Sequence, residues 1–184
     1  MKPVARLRRA YFDCRYGQLH VHQAIPPGGG FDEATALLCI PGTRGTGAFF
    51  QALLGPVGGD RSIYAPDLPG CGQSDGAGQP AGAEQYAPAL LDLLDSLRQR
   101  RVDVVAHGAG AETAIALVKL RPDTLVRRVV FSAPPPGSLE AARSLGIECR
   151  ELPLAGPAEE RLSAGSESSQ FNDLIEFFGN RVQA

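Results

Sequence analysis

The strongest constraint in this sequence is an uninterrupted apolar run, Ala36-Leu37-Leu38-Cys39-Ile40, of the kind required by a strand buried on both faces. Val102 to Ala106 and Val126 to Phe131 are further short, β-branched stretches, and segments with helical spacing lie between them. Apolar residues recur at Leu90, Leu91, Leu94 and Leu97 within a helix expected over Gln85 to Gln99, and an Ala-rich helix is expected over Ala111 to Leu120, ended by Arg121-Pro122. Parallel neighbours need crossover connections, so this order predicts an α/β fold: a doubly wound, mostly parallel sheet with helices on both faces. Two β-rich stretches come first, Ala10 to Tyr16 and Leu19 to Ile25, with a hairpin turn at Tyr16-Gly17-Gln18, so antiparallel N-terminal strands are expected.

Further elements complete the frame. A helical stretch is expected near Phe49 to Leu54, a strand at Ser62 to Ala65, a turn-rich segment from Pro66 to Gly82, a short helix or turn near Leu139 to Leu145, a strand at Ile147 to Leu152, and an amphipathic helix around Phe171 to Val182. With 184 residues, 43% of them hydrophobic, and no sign of a repeat, residues 1–184 read as a single domain. Eighteen Lys and Arg against twenty Asp and Glu leave a net charge of -2, which argues against nucleic acid or an anionic membrane surface as partner. The basic start MKPVARLRRA leads into polar sequence without an apolar core, so a cytoplasmic address is expected. Cys14, Cys39, Cys71 and Cys149 are far apart, which fits reduced thiols and no metal site, and nothing in the sequence calls for a cofactor.

The segment Val104-Val105-Ala106-His107-Gly108-Ala109-Gly110-Ala111 joins strand to helix through a run of small residues. It resembles the G-x-S-x-G nucleophile elbow of the α/β-hydrolase superfamily. Other landmarks carry the same resemblance over about Tyr11 to Pro135. Tyr16-Gly17-Gln18-Leu19-His20-Val21 is similar to the family's early G-x-x-(L/I)-H-Y strand. Ile40-Pro41-Gly42-Thr43 stands where many members have H-G-x-P, and Asp67-Leu68-Pro69-Gly70-Cys71-Gly72-Gln73-Ser74 is similar to D-x-x-G-x-G-x-S.

The resemblance implies that Gly108 occupies the nucleophile position, and a residue without a side chain forms no acyl-enzyme. It also implies oxyanion-hole amides at Thr43 and Ala109, with Gly42 beside them, so Gly42, Thr43, Gly108 and Ala109 are the expected binding residues. The only acids in the place of the family's late acid are Glu159 and Glu160. The histidines, His20, His22 and His107, all precede the place of the family's histidine, which falls near Pro157 or Ser166. No intact catalytic set is expected. His107 is a weak acid-base candidate whose side chain is expected to point into the interior.

Other features have plainer readings. Gly42, Gly45 and Gly47 match no phosphate-loop pattern. His20 and His22 share one face of a strand, but no third ligand is visible and packing or surface roles are expected. Asp67 is expected to tie down its own loop. Pro134 to Gly146 leaves no room for the family's lid, and one late strand is missing, which would leave a shallow, open site and a sheet edge available to a second copy or a homologous subunit. The sequence thus points to a non-catalytic protein of hydrolase fold that binds a small apolar or ester-like ligand or a protein. The alternatives are a divergent esterase-like enzyme using the Thr43 and Ala109 amides with a non-standard acid or base, and a non-catalytic subunit of an active homologue.

Overall fold

The fold is that of a computed structural model, which describes residues 4–29, 34–42, 45–78, 81–122, 125–152, 173–174 and 176–178. Seven strands among these residues form one sheet: β1 (Arg6–Cys14), β2 (Gly17–Ile25), β3 (Ala36–Ile40), β4 (Ile63–Pro66), β5 (Val102–His107), β6 (Val126–Ser132) and β7 (Glu148–Glu151). Their order across the sheet is β1-β2-β4-β3-β5-β6-β7. The β1–β2 and β2–β4 pairs are antiparallel and every other pair is parallel, as the alternating sequence pattern requires.

β1 begins at Arg6, four residues before the stretch expected from sequence, because its register with β2 runs unbroken from Arg6 opposite Ile25 to Cys14 opposite Gly17. Arg6, Arg8 and Arg9 hide the strand pattern, yet charge is what an edge strand carries to discourage pairing with other chains. The same register narrows the hairpin turn to Arg15 and Tyr16.

The helices α1 (Gln51–Val57), α2 (Ala83–Ser96), α3 (Gly110–Leu120) and α4 (Ser138–Ser144) cover the sheet. On one face Leu90, Leu93 and Leu94 of α2 and Ala114 and Leu117 of α3 pack against Leu38, Ile40, Val104 and Phe131. On the other, Leu53, Leu54 and Val57 of α1 and Leu174 and Phe178, from helical residues 173–174 and 176–178, pack against Leu37, Cys39, Val105 and Val130. Central strands are therefore apolar on both faces, which is why they read as continuous runs. Only α4 lies between β6 and β7, so no lid is inserted there.

One charge inside the core was invisible in the apolar reading of β5. Asp103 is fully buried and accepts hydrogen bonds from Arg127 at 2.8 Å and from Arg128 at 3.0 Å, with Arg61 at 3.8 Å. Arg128 also donates to the carbonyls of Phe177 and Phe178, fastening the C-terminal helical stretch to the sheet. A buried carboxylate is tolerable only with such partners.

Candidate functional site at the turn after β5

β5 ends at His107 and α3 begins at Gly110, so two residues make the whole reversal at the carboxyl edge of the sheet. Gly108 has φ +52°, the left-handed backbone that side chains oppose. Its N–H donates to the Ser132 carbonyl on β6 at 2.8 Å, and its own carbonyl accepts from Ala111 at 3.1 Å. The turn is thus anchored to the neighbouring strand on one side and to its own helix on the other.

The two glycines of this turn differ in kind. A Cβ built on Gly110 would lie 2.6 Å from the Ile40 carbonyl oxygen and 2.6 Å from that of Pro41, so α3 approaches β3 as closely as backbone can. A Cβ built on Gly108 would meet only the Cα of Gly42, at 4.0 Å. Space for a larger side chain therefore exists at Gly108, and only its backbone conformation opposes one.

Two further residues singled out in the sequence, Gly42 and Ala109, lie around this point. Gly42, following β3, lies beside the turn: a Cβ built on it would be 3.5 Å from the His107 carbonyl oxygen and 4.0 Å from the Ala109 nitrogen. Ala109 stands at the N-terminus of α3, where peptide N–H groups have no partner within the helix. Thr43 lies outside the described residues, as do Glu159, Glu160, Pro157 and Ser166.

His107 is half-buried. Its ring stacks on Phe49 with centroids 4.3 Å apart, and its Nδ1 is 3.3 Å from the Ser132 hydroxyl oxygen. This brings a serine and a histidine together, a pairing the sequence reading did not foresee because they lie on different strands, β5 and β6, joined in register. Ser132 is only 1% exposed, so its hydroxyl is enclosed below the edge rather than presented above it. A nucleophile must reach a carbonyl carbon, and an enclosed hydroxyl cannot.

A small cavity of about 50 Å³ opens next to the turn, between the first turns of α2 and α3, walled in part by Pro41, Leu68, Tyr86, Ala109 and Thr113. Pockets for larger ligands run to roughly 300–1,000 Å³, so this one admits only a small group.

A second polar cluster sits two strands away, where β4 leads into its loop. The Asp67 carboxylate accepts from Gly47 N–H at 2.8 Å, from Gln73 N–H at 3.0 Å and lies 2.9 Å from His20 Nδ1, with His22 Nε2 at 3.7 Å. Asp67 is therefore the third ligand type that sequence did not place beside His20 and His22, and the donor atoms of the three lie within 4.8 Å of one another. All three are buried, and the carboxylate already serves two peptide groups and an imidazole. The cluster's evident work is structural. Ser74 donates to the Asp67 carbonyl at 2.8 Å and accepts from His20 N–H at 2.9 Å, while Asp75 accepts from Gln18 N–H, so the loop is sewn to β2. Burial lowers the His22 pKa below its ordinary 6.5, against a weaker upward pull from Asp67.

Sequence and structural comparisons point the same way as this geometry. A model of the alpha/beta hydrolase family matches residues 37–181. A putative carbamate hydrolase, RutD, from Stutzerimonas stutzeri is 30% identical over 128 residues, which is 68% of this chain and 48% of that protein. An uncharacterized protein from Mycobacterium bovis is 30% identical over 123 residues, 67% of this chain and 35% of that one. The chain thus spans half or less of the length of these curated relatives. Among solved structures, a serine-to-glycine mutant of the N-acyl homoserine lactonase AidH complexed with N-hexanoyl homoserine lactone superposes with a TM-score of 0.60 at 27% identity, covering 70% of this chain and 46% of that one. From the match along most of its length and the sheet order that carries it, the chain belongs to the alpha/beta hydrolase family.

Proposed function

We propose that this chain is a non-hydrolytic member of its family that binds a small ester- or lactone-like ligand at the turn after β5. The observation that carries this reading is Gly108, a residue with no nucleophile, held at φ +52° where the family's elbow presents one. Gly42 and the Ala109 nitrogen, two of the expected binding positions, lie beside the open space at Gly108, which supports the binding half of this reading. The lactonase neighbour with a glycine in place of one of its serines is complexed with a lactone, which supports ligand binding by a chain of this fold that carries such a change.

Glycine at this position also has a physical motive. A side-chain-bearing residue in this backbone region costs on the order of 1–3 kcal/mol, and glycine far less. Where turnover is not selected, stability favours glycine.

The contact between His107 and Ser132 favours a second reading, in which His107 activates water in place of the missing serine. Assay with p-nitrophenyl esters of several chain lengths separates the two. The first reading predicts no turnover above background. Turnover that disappears in His107→Ala overturns it in favour of the second. A non-catalytic subunit docked along the outer edge of β7 is a third reading, supported by the exposure of that strand; light scattering that finds only monomer with and without an active homologue counts against it.

A further inference from the structure

We propose that the outer edge of β1 is a docking site for an acidic, extended segment of a partner protein, which adds itself to the sheet as one more strand. That edge lies at the opposite end of the sheet from β7, and its chemistry is independent of the turn after β5.

Backbone supplies one half of the site. β1 is last in the sheet order and runs for nine residues, so every second residue turns its N–H and C=O away from β2, toward the open side. Side chains supply the other half. Arg6, Arg8 and Arg9 are exposed and make no ion pair among the described residues. The one acid on the strand, Asp13, stands toward its far end and accepts from the Gln18 side chain at 3.1 Å. Arg8 is held in place by its Nε–H, which donates to the Gln23 amide oxygen at 2.7 Å, while the Nε2 of that buried amide has no acceptor among the described residues. This edge therefore has donors to spare, and carboxylates answer them. Leu7 and Tyr11, each 52% exposed, flank Arg9 on the face opposite to that of Arg6 and Arg8, so apolar surface is on offer between the charges.

Charge decides the occupant. A second copy of β1 is the wrong one, because it would bring arginines against arginines. A large polyanion is wrong for a different reason. Four of the chain's eighteen Lys and Arg and none of its twenty Asp and Glu lie in the first twelve residues, so the rest of the chain is net acidic and repels a duplex or an anionic bilayer that reaches past β1. A single peptide strand touches β1 alone and uses its peptide groups as well as its charge. Side chains directly opposite one another share a face of the sheet, so an antiparallel partner needs carboxylates opposite Arg6, Arg8 and Arg9 and apolar side chains opposite Leu7 and Tyr11. Read along the partner, the order is apolar, any residue, acid, acid, apolar, acid. The arginines thus exclude self-pairing and select an acidic strand by the same repulsion and attraction.

The test is fluorescence anisotropy of the full chain with a labelled peptide whose core is Val-Thr-Glu-Glu-Val-Glu, an order that runs antiparallel from Tyr11 to Arg6. Saturable binding that weakens as salt rises is expected. The same peptide with glutamine in place of each glutamate should bind about tenfold more weakly, and so should the acidic peptide to the double variant Arg6→Gln, Arg9→Gln, whose exposed positions leave Tm unchanged. Of two acidic peptides N-methylated on alternate residues, the one methylated on its pairing side should fail to bind and the other should bind, a difference that charge alone does not produce. Equal binding of the glutamine peptide, unchanged affinity in the double variant, the same outcome for both methylated peptides, tighter binding of a DNA duplex or of phosphatidylserine vesicles than of the acidic peptide, or no binding of that peptide at low salt each overturns the proposal.

Discussion

The turn after β5 and the cluster around Asp67 lie on the same edge of the sheet and are opposites. At the turn Gly108 holds a left-handed backbone, with space above it and peptide N–H groups at a helix N-terminus, but no side chain of its own. At Asp67 a carboxylate and two imidazoles come together, the raw material of acid-base or metal chemistry, but all are buried and committed to their neighbours. Reactive residue types do not make a site, and on the reading proposed above a site's backbone outlasts its reactive residue. What separates the regions is access on one side and hydrogen-bond saturation on the other.

The contrast can be broken first at the cluster. Asp67→Ala removes the acceptor for two peptide N–H groups and an imidazole in the interior, and should destabilise the fold by about 3–5 kcal/mol. Chemical denaturation measures this. A loss below about 1 kcal/mol would mean that the cluster is not structural and would reopen a metal-binding role.

At the turn the expected loss is smaller. Gly108→Ser meets no steric obstacle and carries only the backbone cost, about 1–3 kcal/mol, which for a chain of this size is a fall in Tm of roughly 2–12 °C. Gly108→Ala should match it, because the cost comes from the backbone and not from the hydroxyl. A Tm unchanged in both variants would show that the left-handed conformation is not retained.

How much of this was legible in the sequence depends on what each feature is made of. The sheet could be read because strands buried on both faces become apolar runs, as at Ala36–Ile40. The turn could be read because the close approach of α3 to β3 demands a glycine at Gly110, and the demand leaves its letter. β1 was read short because Arg6, Arg8 and Arg9 on an edge strand obey the need to stay unpaired rather than the need to be buried. That Asp67 ties down its own loop was legible, but its meeting with His20 and His22 and the approach of Ser132 to His107 were not, since both join residues from separate strands and exist only once register is fixed. Asp103 was hidden for a related reason: a single charge in an apolar run looks like a surface face until its arginines arrive from another strand and a loop.

The smallest expected effect concerns pH. Burial lowers the His22 pKa, so the folded chain binds fewer protons than the unfolded one near and below the ordinary imidazole value of 6.5. The stability this contributes is complete above about pH 6.5 and is lost as pH falls through the lowered folded value. His22→Gln should therefore flatten the fall in Tm between neutral and mildly acidic pH. An identical slope in the variant would remove His22 from the account.

The central claim, that this edge keeps its shape without a working nucleophile, is met most directly by intact-mass spectrometry of the native chain after prolonged exposure to a fluorophosphonate. The account predicts an unmodified mass, with Ser132 enclosed and Gly108 bare. A stoichiometric adduct that maps to Ser132 and is lost in His107→Ala would contradict it.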